Sequence, residues 1–197
     1  MNETIRTLLI KNLCAALFCC LMYGHHLAAQ AVTPDKVELN GQEMAKATAE
    51  LRAKDLLFPI AGVDPATVKG HFYLTRGDSL HHAVDIAAPR NTPILAVGGG
   101  KISRLWLSKA GGNTIYELDP SGKYSYYYAH LERYAPGLTE GATVSKGQVI
   151  GYVGTSGDAP PNSPHLHFSF AKLQTPGVWW PGGSIDPYDV YKKAGQN

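Results

Sequence analysis

An all-β fold, a sandwich or barrel, is predicted by three observations on this 197-residue sequence. Glycine and proline are frequent, with 21 and 13 copies. Short β-type runs recur between Gly, Pro, Asn and Asp, the punctuation that separates strands in antiparallel folds. Two stretches, Asn91 to Ile102 and Gly141 to Val153, also read as distant copies of one hairpin, which suits a fold built from two similar β halves. A charged fraction of 17% with 44% hydrophobic residues excludes a disordered or coiled-coil chain. The formal net charge of +2 offers no concentrated basic face, so nucleic acid is not an expected partner.

The first element is a targeting segment. Arg6 and Lys11 precede the apolar run Leu13 to Met22, and Ala29-Gln30-Ala31 supplies a small-x-small cleavage site, so residues 1–31 read as a secretory signal. An apolar run this short does not span about 30 Å of hydrocarbon, so no stable membrane anchor is expected. All three cysteines (Cys14, Cys19 and Cys20) lie in this segment. The mature chain therefore has neither disulfides nor thiolate metal ligands, and it is expected to be periplasmic or secreted, and a monomer.

Residues 32–57 follow as a polar stretch in which Met44, Ala47 and Leu51 share one helical face, predicting a short amphipathic helix or tether. From residue 58 to 191 a β domain is expected. Its runs lie around Phe72 and Val84, then at Thr92 to Val97, Ile102 to Leu107, Thr114 to Leu118, Tyr124 to Leu131, Val149 to Val153 and Leu166 to Phe170. Asp119-Pro120-Ser121-Gly122 predicts a hairpin turn. Gly98-Gly99-Gly100-Lys101 lacks the Ser/Thr of a phosphate loop and reads as a second tight hairpin. Residues 192–197 form a tail.

Five of the six histidines beyond residue 31 fall in three clusters: His81-His82-Ala83-Val84-Asp85, Tyr128-Ala129-His130-Leu131 and Pro164-His165-Leu166-His167-Phe168. Positions two or four apart on a strand project from one face. His81 can thus converge with Asp85, and His165 with His167. Neutral imidazole and carboxylate donors suit zinc, and three protein ligands with one position open describe a catalytic site. A single histidine in a β protein is more often a hydrogen-bonded structural residue, and His71 and His82 are read so. In the Tyr124 to Leu131 run, alternation puts His130 on the face of Tyr124, Tyr126 and Tyr128. Those tyrosines form either cross-strand packing or an aromatic wall to a groove.

At these residues the sequence resembles the LytM-type (M23, lysostaphin-like) zinc metallopeptidases, which cut peptide cross-links in bacterial peptidoglycan. The pattern H-x-x-x-D with a following hydrophobic and small-Pro turn is matched by His81 to Pro89, H-L-H-F by His165 to Phe168, Tyr-x-His-Leu by Tyr128 to Leu131, and V-x-x-G-Q-x-I-G by Val144 to Gly151. The resemblance implies an antiparallel β sandwich of duplicated hybrid-motif type with a substrate groove. It further implies Zn2+ held by His81, Asp85 and His167, His130 and His165 as paired catalytic histidines, and peptidoglycan peptide stems as partner. Spacing alone does not divide the five candidates in this way. Two departures stand out: Ser169 where many members have an acidic residue, and Ala83 where some have glycine. Some relatives have lost the catalytic residues and act as activators of cell-wall amidases, so a non-catalytic adaptor is the alternative. A lipoyl-type carrier, with its related hairpins, leaves the histidines unexplained and offers no modified lysine.

Overall fold

A computed structural model describes residues 37–193; the expected signal segment and most of the tail lie outside the described residues. Helix α1 (Gly41–Arg52) begins with a capping box. Asn40 Oδ1 accepts from the Glu43 N–H at 3.0 Å, and Glu43 Oε2 accepts from the Asn40 N–H at 3.2 Å, satisfying two donors that helix geometry leaves free. Ala47 and Leu51 are buried, and Met44 packs against the core beside them. The segment is a docked helix: Tyr124 donates to Glu50, and Lys54 pairs with Asp119.

Two 3-10 turns, Pro65–Val68 and His71–Tyr73, lead to the small hairpin β1 (Thr75–Arg76) and β2 (Ser79–Leu80). The run around Phe72 is therefore a turn and not a strand. Gly70, in the left-handed region, starts a tight turn that buries the Phe72 ring. The remaining strands are β3 (Val84–Ala87), β4 (Pro93–Leu95), β5 (Gly100–Ser108), β6 (Gly112–Leu118), β7 (Tyr124–Tyr134), β8 (Thr143–Val144), β9 (Val149–Val153), β10 (His165–Leu173) and β11 (Gly182–Ile185); a last turn of helix, α2, covers Pro187–Tyr191.

These nine strands form one antiparallel sheet that branches. Its main path runs β11-β10-β7-β6-β5-β8, with β3 also on β10, and β9 joining β7 to β4. The Asp119 to Gly122 turn closes the β6–β7 hairpin, its Gly122 N–H donating to the Asp119 carbonyl at 2.9 Å. The glycine run is a different case. β4 pairs with β9 and β5 with β6 and β8, so Gly98 to Lys101 joins strands that do not pair with each other. It is a crossover, and a close one, since a Cβ on Gly100 would sit 2.0 Å from the Leu118 carbonyl oxygen.

That pairing explains the repeated stretch. The outer strand of each copy hydrogen-bonds to the inner strand of the other, with Ile94 opposite Gly151 and Gly100 opposite Val144. Neither copy closes a hairpin alone; they interlock as a duplicated motif. Between the layers lie Ile94, Val97, Ile102, Ile115, Tyr126, Tyr128, Leu131, Ile150, Leu166, Phe168 and Phe170, almost wholly buried. Tyr124, Tyr126 and Tyr128 all point into this core and do not line a groove.

Candidate active site

Strand alternation sets one half of the site. Along β10, Leu166 and Phe168 are buried while His165 and His167 are partly exposed. β3 pairs alongside, with Asp85 directly opposite His167. His81 lies before the strand begins and reaches Asp85 by a hook in the chain. Its N–H donates to the Leu74 carbonyl and the His82 N–H to that of Phe72, with His82 in the left-handed region at φ 54°.

Three donor atoms converge. His81 Nε2 is 3.0 Å from His167 Nδ1 and 3.1 Å from Asp85 Oδ1, and His167 Nδ1 is 3.2 Å from that same oxygen. Tetrahedral bonds of about 2.0–2.1 Å have ligand–ligand edges of about 3.3 Å, so this set of two imidazoles and a carboxylate fits zinc. His81 Nδ1–H donates to the His71 carbonyl at 3.0 Å, which leaves the Nε2 lone pair facing the cluster, the outer-shell support typical of a ligating imidazole. Burial pushes the Asp85 carboxyl upward, but the His167 and His81 rings lying against it outweigh this and hold it well below the usual carboxylate range. Burial lowers His167 despite Asp85, favouring the neutral ring that a metal needs. Arg76 of β1 hydrogen-bonds to Asp85 Oδ2, the oxygen turned away from the imidazoles.

His130 arrives by a different route. Between Tyr128 and Leu131 strand β7 gains one residue against β6, and His130 sits there with φ 62°. This bulge reverses the alternation, so that Tyr128 and Leu131, three apart, both enter the core while His130 swings to the opposite face. The expectation that His130 shares a face with Tyr124, Tyr126 and Tyr128 is thereby corrected. Its ring centroid lies 4.9 Å from that of His165 and 5.6 Å from that of His167. Nδ1 of His130 donates to the Ser156 carbonyl and Nδ1 of His165 to the Ser163 carbonyl, both at 2.8 Å. Both Nε2 atoms therefore carry a lone pair in the neutral rings. Burial lowers His130, against the opposing bond to Ser156. A left-handed histidine costs of order 1–3 kcal/mol, which the surrounding sheet has to offset.

All five candidates thus come together, while His71 contributes its carbonyl and His82 packs edge-on to Phe72. Two cavities flank the cluster. One, of about 180 Å³, is bounded by Arg76, Gly111, His130 and Asp158. The other, of about 270 Å³, is bounded by Tyr116, Tyr127, Ser169, Trp179 and Trp180. Sequence reasoning does not single out Arg76, Tyr127, Asp158 or Trp179. Only Tyr127 carries a readable signal, since strand parity places it opposite the core tyrosines.

A largely antiparallel sheet carrying a His2Asp cluster with two further histidines at its edge defines a candidate hydrolytic metal centre. The model of peptidase family M23 matches residues 79–179, just over half of the chain, and the chain belongs to that family. It is 35% identical over 117 residues to the L-Ala--D-Glu endopeptidase of Bacillus subtilis, covering 57% of this chain and 34% of that protein. It is 36% identical over 90 residues to the peptidoglycan DD-endopeptidase ShyC of Vibrio cholerae, covering 46% and 20%, and 31% identical over 133 residues to lysostaphin of Staphylococcus simulans, covering 60% and 26%. The chain spans about a third or less of these relatives' lengths. Among solved structures, Helicobacter pylori Csd3 superposes with a TM-score of 0.54 at 26% identity, covering 71% of this chain and 35% of that one.

Proposed function

We propose that this protein is a zinc endopeptidase that hydrolyses peptide cross-links of bacterial peptidoglycan. The observation that carries the reading is the single cluster formed by His81, Asp85 and His167, with His130 and His165 beside it and their Nδ1 atoms both tied to carbonyls. The named endopeptidase activities of its relatives support the same reading.

His81, Asp85 and His167 would hold the metal, with the His71 carbonyl and Arg76 orienting the first two. Bound there, zinc supplies Lewis-acid polarisation of the scissile carbonyl and a lowered pKa for water. His130 and His165 each present Nε2 toward the cleft. One takes the proton of the attacking water, and the other, as imidazolium, donates to the developing oxyanion; the proton then passes to the leaving amine. Fixing Nδ1 as donor in both rings keeps the reactive nitrogen aimed without reorganisation. In this reading the chain acts outside the cytoplasm, after cleavage near Ala31, as a monomer. Retention of all five residues, together with relatives named as endopeptidases, disfavours the adaptor alternative.

The test is incubation of purified protein with sacculi and mass spectrometry of the released peptides. New amine and carboxyl ends at one cross-link type are expected, suppressed by a chelator and restored by zinc. Sacculi left intact at every zinc concentration would refute the activity.

A further inference from the structure

The two histidines proposed for proton transfer take their support from one segment. Ser156, whose carbonyl accepts from His130 Nδ1, and Ser163, whose carbonyl accepts from His165 Nδ1, both lie in the loop 154–164 between β9 and β10. The position of that loop therefore decides where both Nε2 atoms point. Its halves are held differently. The first is stitched to the sheet: Ser156 Oγ donates to the Leu131 carbonyl at 2.7 Å and accepts from the Asn113 N–H at 3.0 Å, and the Asp158 N–H donates to the Ala110 carbonyl at 2.9 Å. Gly157 is so closely packed that a Cβ there would lie 2.1 Å from that carbonyl oxygen. The second half, residues 159–163, closes on itself, with the Ser163 N–H donating to the Pro160 carbonyl at 3.0 Å.

Arg90 reaches this second half from outside. It stands in the turn between β3 and β4, and its neighbours are anchored: the Asn91 N–H donates to the Val153 carbonyl at 2.8 Å, and the Val153 N–H to that of Thr92 at 2.9 Å. From there Nη1 hydrogen-bonds to Oε2 of Glu132, on β7 just past His130, while Nη2 donates to Thr155 Oγ1 at 2.7 Å and to the Pro161 carbonyl at 3.5 Å. One planar fork thus joins the strand that carries His130, the start of the loop and the half that carries Ser163, a span that the single ammonium of a lysine does not match. The Arg90 and Glu132 side chains are 41% and 35% exposed, so the pair adds little to global stability.

We infer that Arg90 is a positioning residue for the histidine pair: it ties the outer half of the loop to β7 and so keeps the Ser163 carbonyl on His165 Nδ1, leaving Nε2 as the accepting nitrogen. Its effect on the rate rests on the endopeptidase reading; its effect on the ring does not.

Arg90→Met and Arg90→Lys test the assignment, with Arg133→Met as control, a nearby arginine that hydrogen-bonds to Asn91 and stacks on Tyr152. Imidazole nitrogen NMR of the zinc-loaded proteins, with the rings neutral, reads which nitrogen carries the proton. In the parent both rings should be protonated at Nδ1. In Arg90→Met the His165 ring should shift toward Nε2 protonation, while His130, held by the stitched half of the loop, keeps its form. Zinc content and the denaturation midpoint should stay at the parent's values. Cleavage of a soluble cross-linked peptidoglycan fragment should lose about 10- to 100-fold in kcat with KM nearly constant, the cost of misplacing a reacting group. Arg90→Lys should behave like Arg90→Met, and Arg133→Met like the parent. Parent-like rings and kcat in Arg90→Met overturn the assignment. So does an Arg90→Met protein that loses zinc or unfolds early, because Arg90 then serves the fold alone. If the His165 ring shifts as expected but the parent cuts nothing, the positioning role stands and the endopeptidase reading fails. Equal cleavage by the parent and Arg90→Met overturns the positioning role and leaves the endopeptidase reading standing.

Discussion

The two faces of strands β7 and β10 are built from alternate residues of the same few segments and do opposite work. On the inner face Tyr126 meets Phe170 edge-on at 5.3 Å, Tyr128 meets Phe168 at 5.2 Å, and all four are fully buried. On the outer face His167, Ser169 and Tyr127 remain partly exposed beside the cluster. The inner face also hides one acid, Glu117, which accepts from Tyr128 Oη at 2.6 Å and has its second oxygen unpartnered. Burial outweighs that hydrogen bond and pushes Glu117 up to about 7. Residue type thus says less than parity. Tyr127 and Tyr128 are chain neighbours, one at the candidate site and one in the core, and the bulge at His130 is the one place on β7 where a histidine crosses between these roles.

The comparison is broken if outer-face substitutions unfold the protein or inner-face ones spare its stability. The largest effects belong to the outer face. Replacing Asp85 or His167 by Ala should lower bound zinc, measured by elemental analysis, and reduce hydrolysis of sacculi to background. The fold should survive, since a domain of this size buries enough apolar surface to stand without metal. His130→Ala and His165→Ala should keep their zinc and lose about 10²- to 10⁴-fold in cleavage rate, the contribution of a positioned proton-transfer group. Cleavage at the parent rate in either variant removes that residue from the mechanism.

On the inner face, Phe168→Ala should cost about 3–5 kcal/mol in denaturant unfolding, by lost burial and the cavity left behind. Glu117 sharpens the contrast through pH. A folded-state pKa near 7 against an ordinary value of 4.5 means the folded state favours the protonated acid. Its contribution is fully present below about pH 4.5 and is lost as pH rises through 7, about 3 kcal/mol in all. Asp186, pushed up to about 6 by burial, adds a smaller change of the same sign. Glu117→Gln should flatten this fall, seen as a smaller difference in unfolding free energy between pH 4.5 and 8 than in the parent. A parallel pair of curves would show that Glu117 is ionised without penalty. The smallest effect is expected at Leu107, which is 74% exposed on the outer edge of β5. Leu107→Ser should change stability by less than about 0.5 kcal/mol.

Much of the fold is legible in the amino-acid sequence. Turn punctuation locates most of the strands after residue 80, though not β11 (Gly182–Ile185), because Gly, Pro, Asn and Asp act locally. The Asp119 to Gly122 hairpin follows from the same local rules. The interlocking of the two copies is not legible, since a sequence repeat shows that two segments are alike and not which strand each one pairs with. Gly98 to Lys101 reads as a hairpin for that reason. Phe72 reads as a strand residue because a buried aromatic has the same hydrophobicity in a 3-10 turn.

For the site, composition and spacing single out His81, Asp85, His130, His165 and His167, since period-two alternation fixes which neighbours share a face and metal chemistry restricts the residue types. The tertiary structure decided the rest. It brought β3 beside β10 so that Asp85 opposes His167, carried His130 across the sheet through one extra residue in β7, and set Arg76, Asp158 and the Trp179 loop around the cleft. Those placements depend on strand register and on contacts between residues tens of positions apart. Their free energy comes from burying the inner faces of the interlocked halves against each other at once, which no local window of the chain contains.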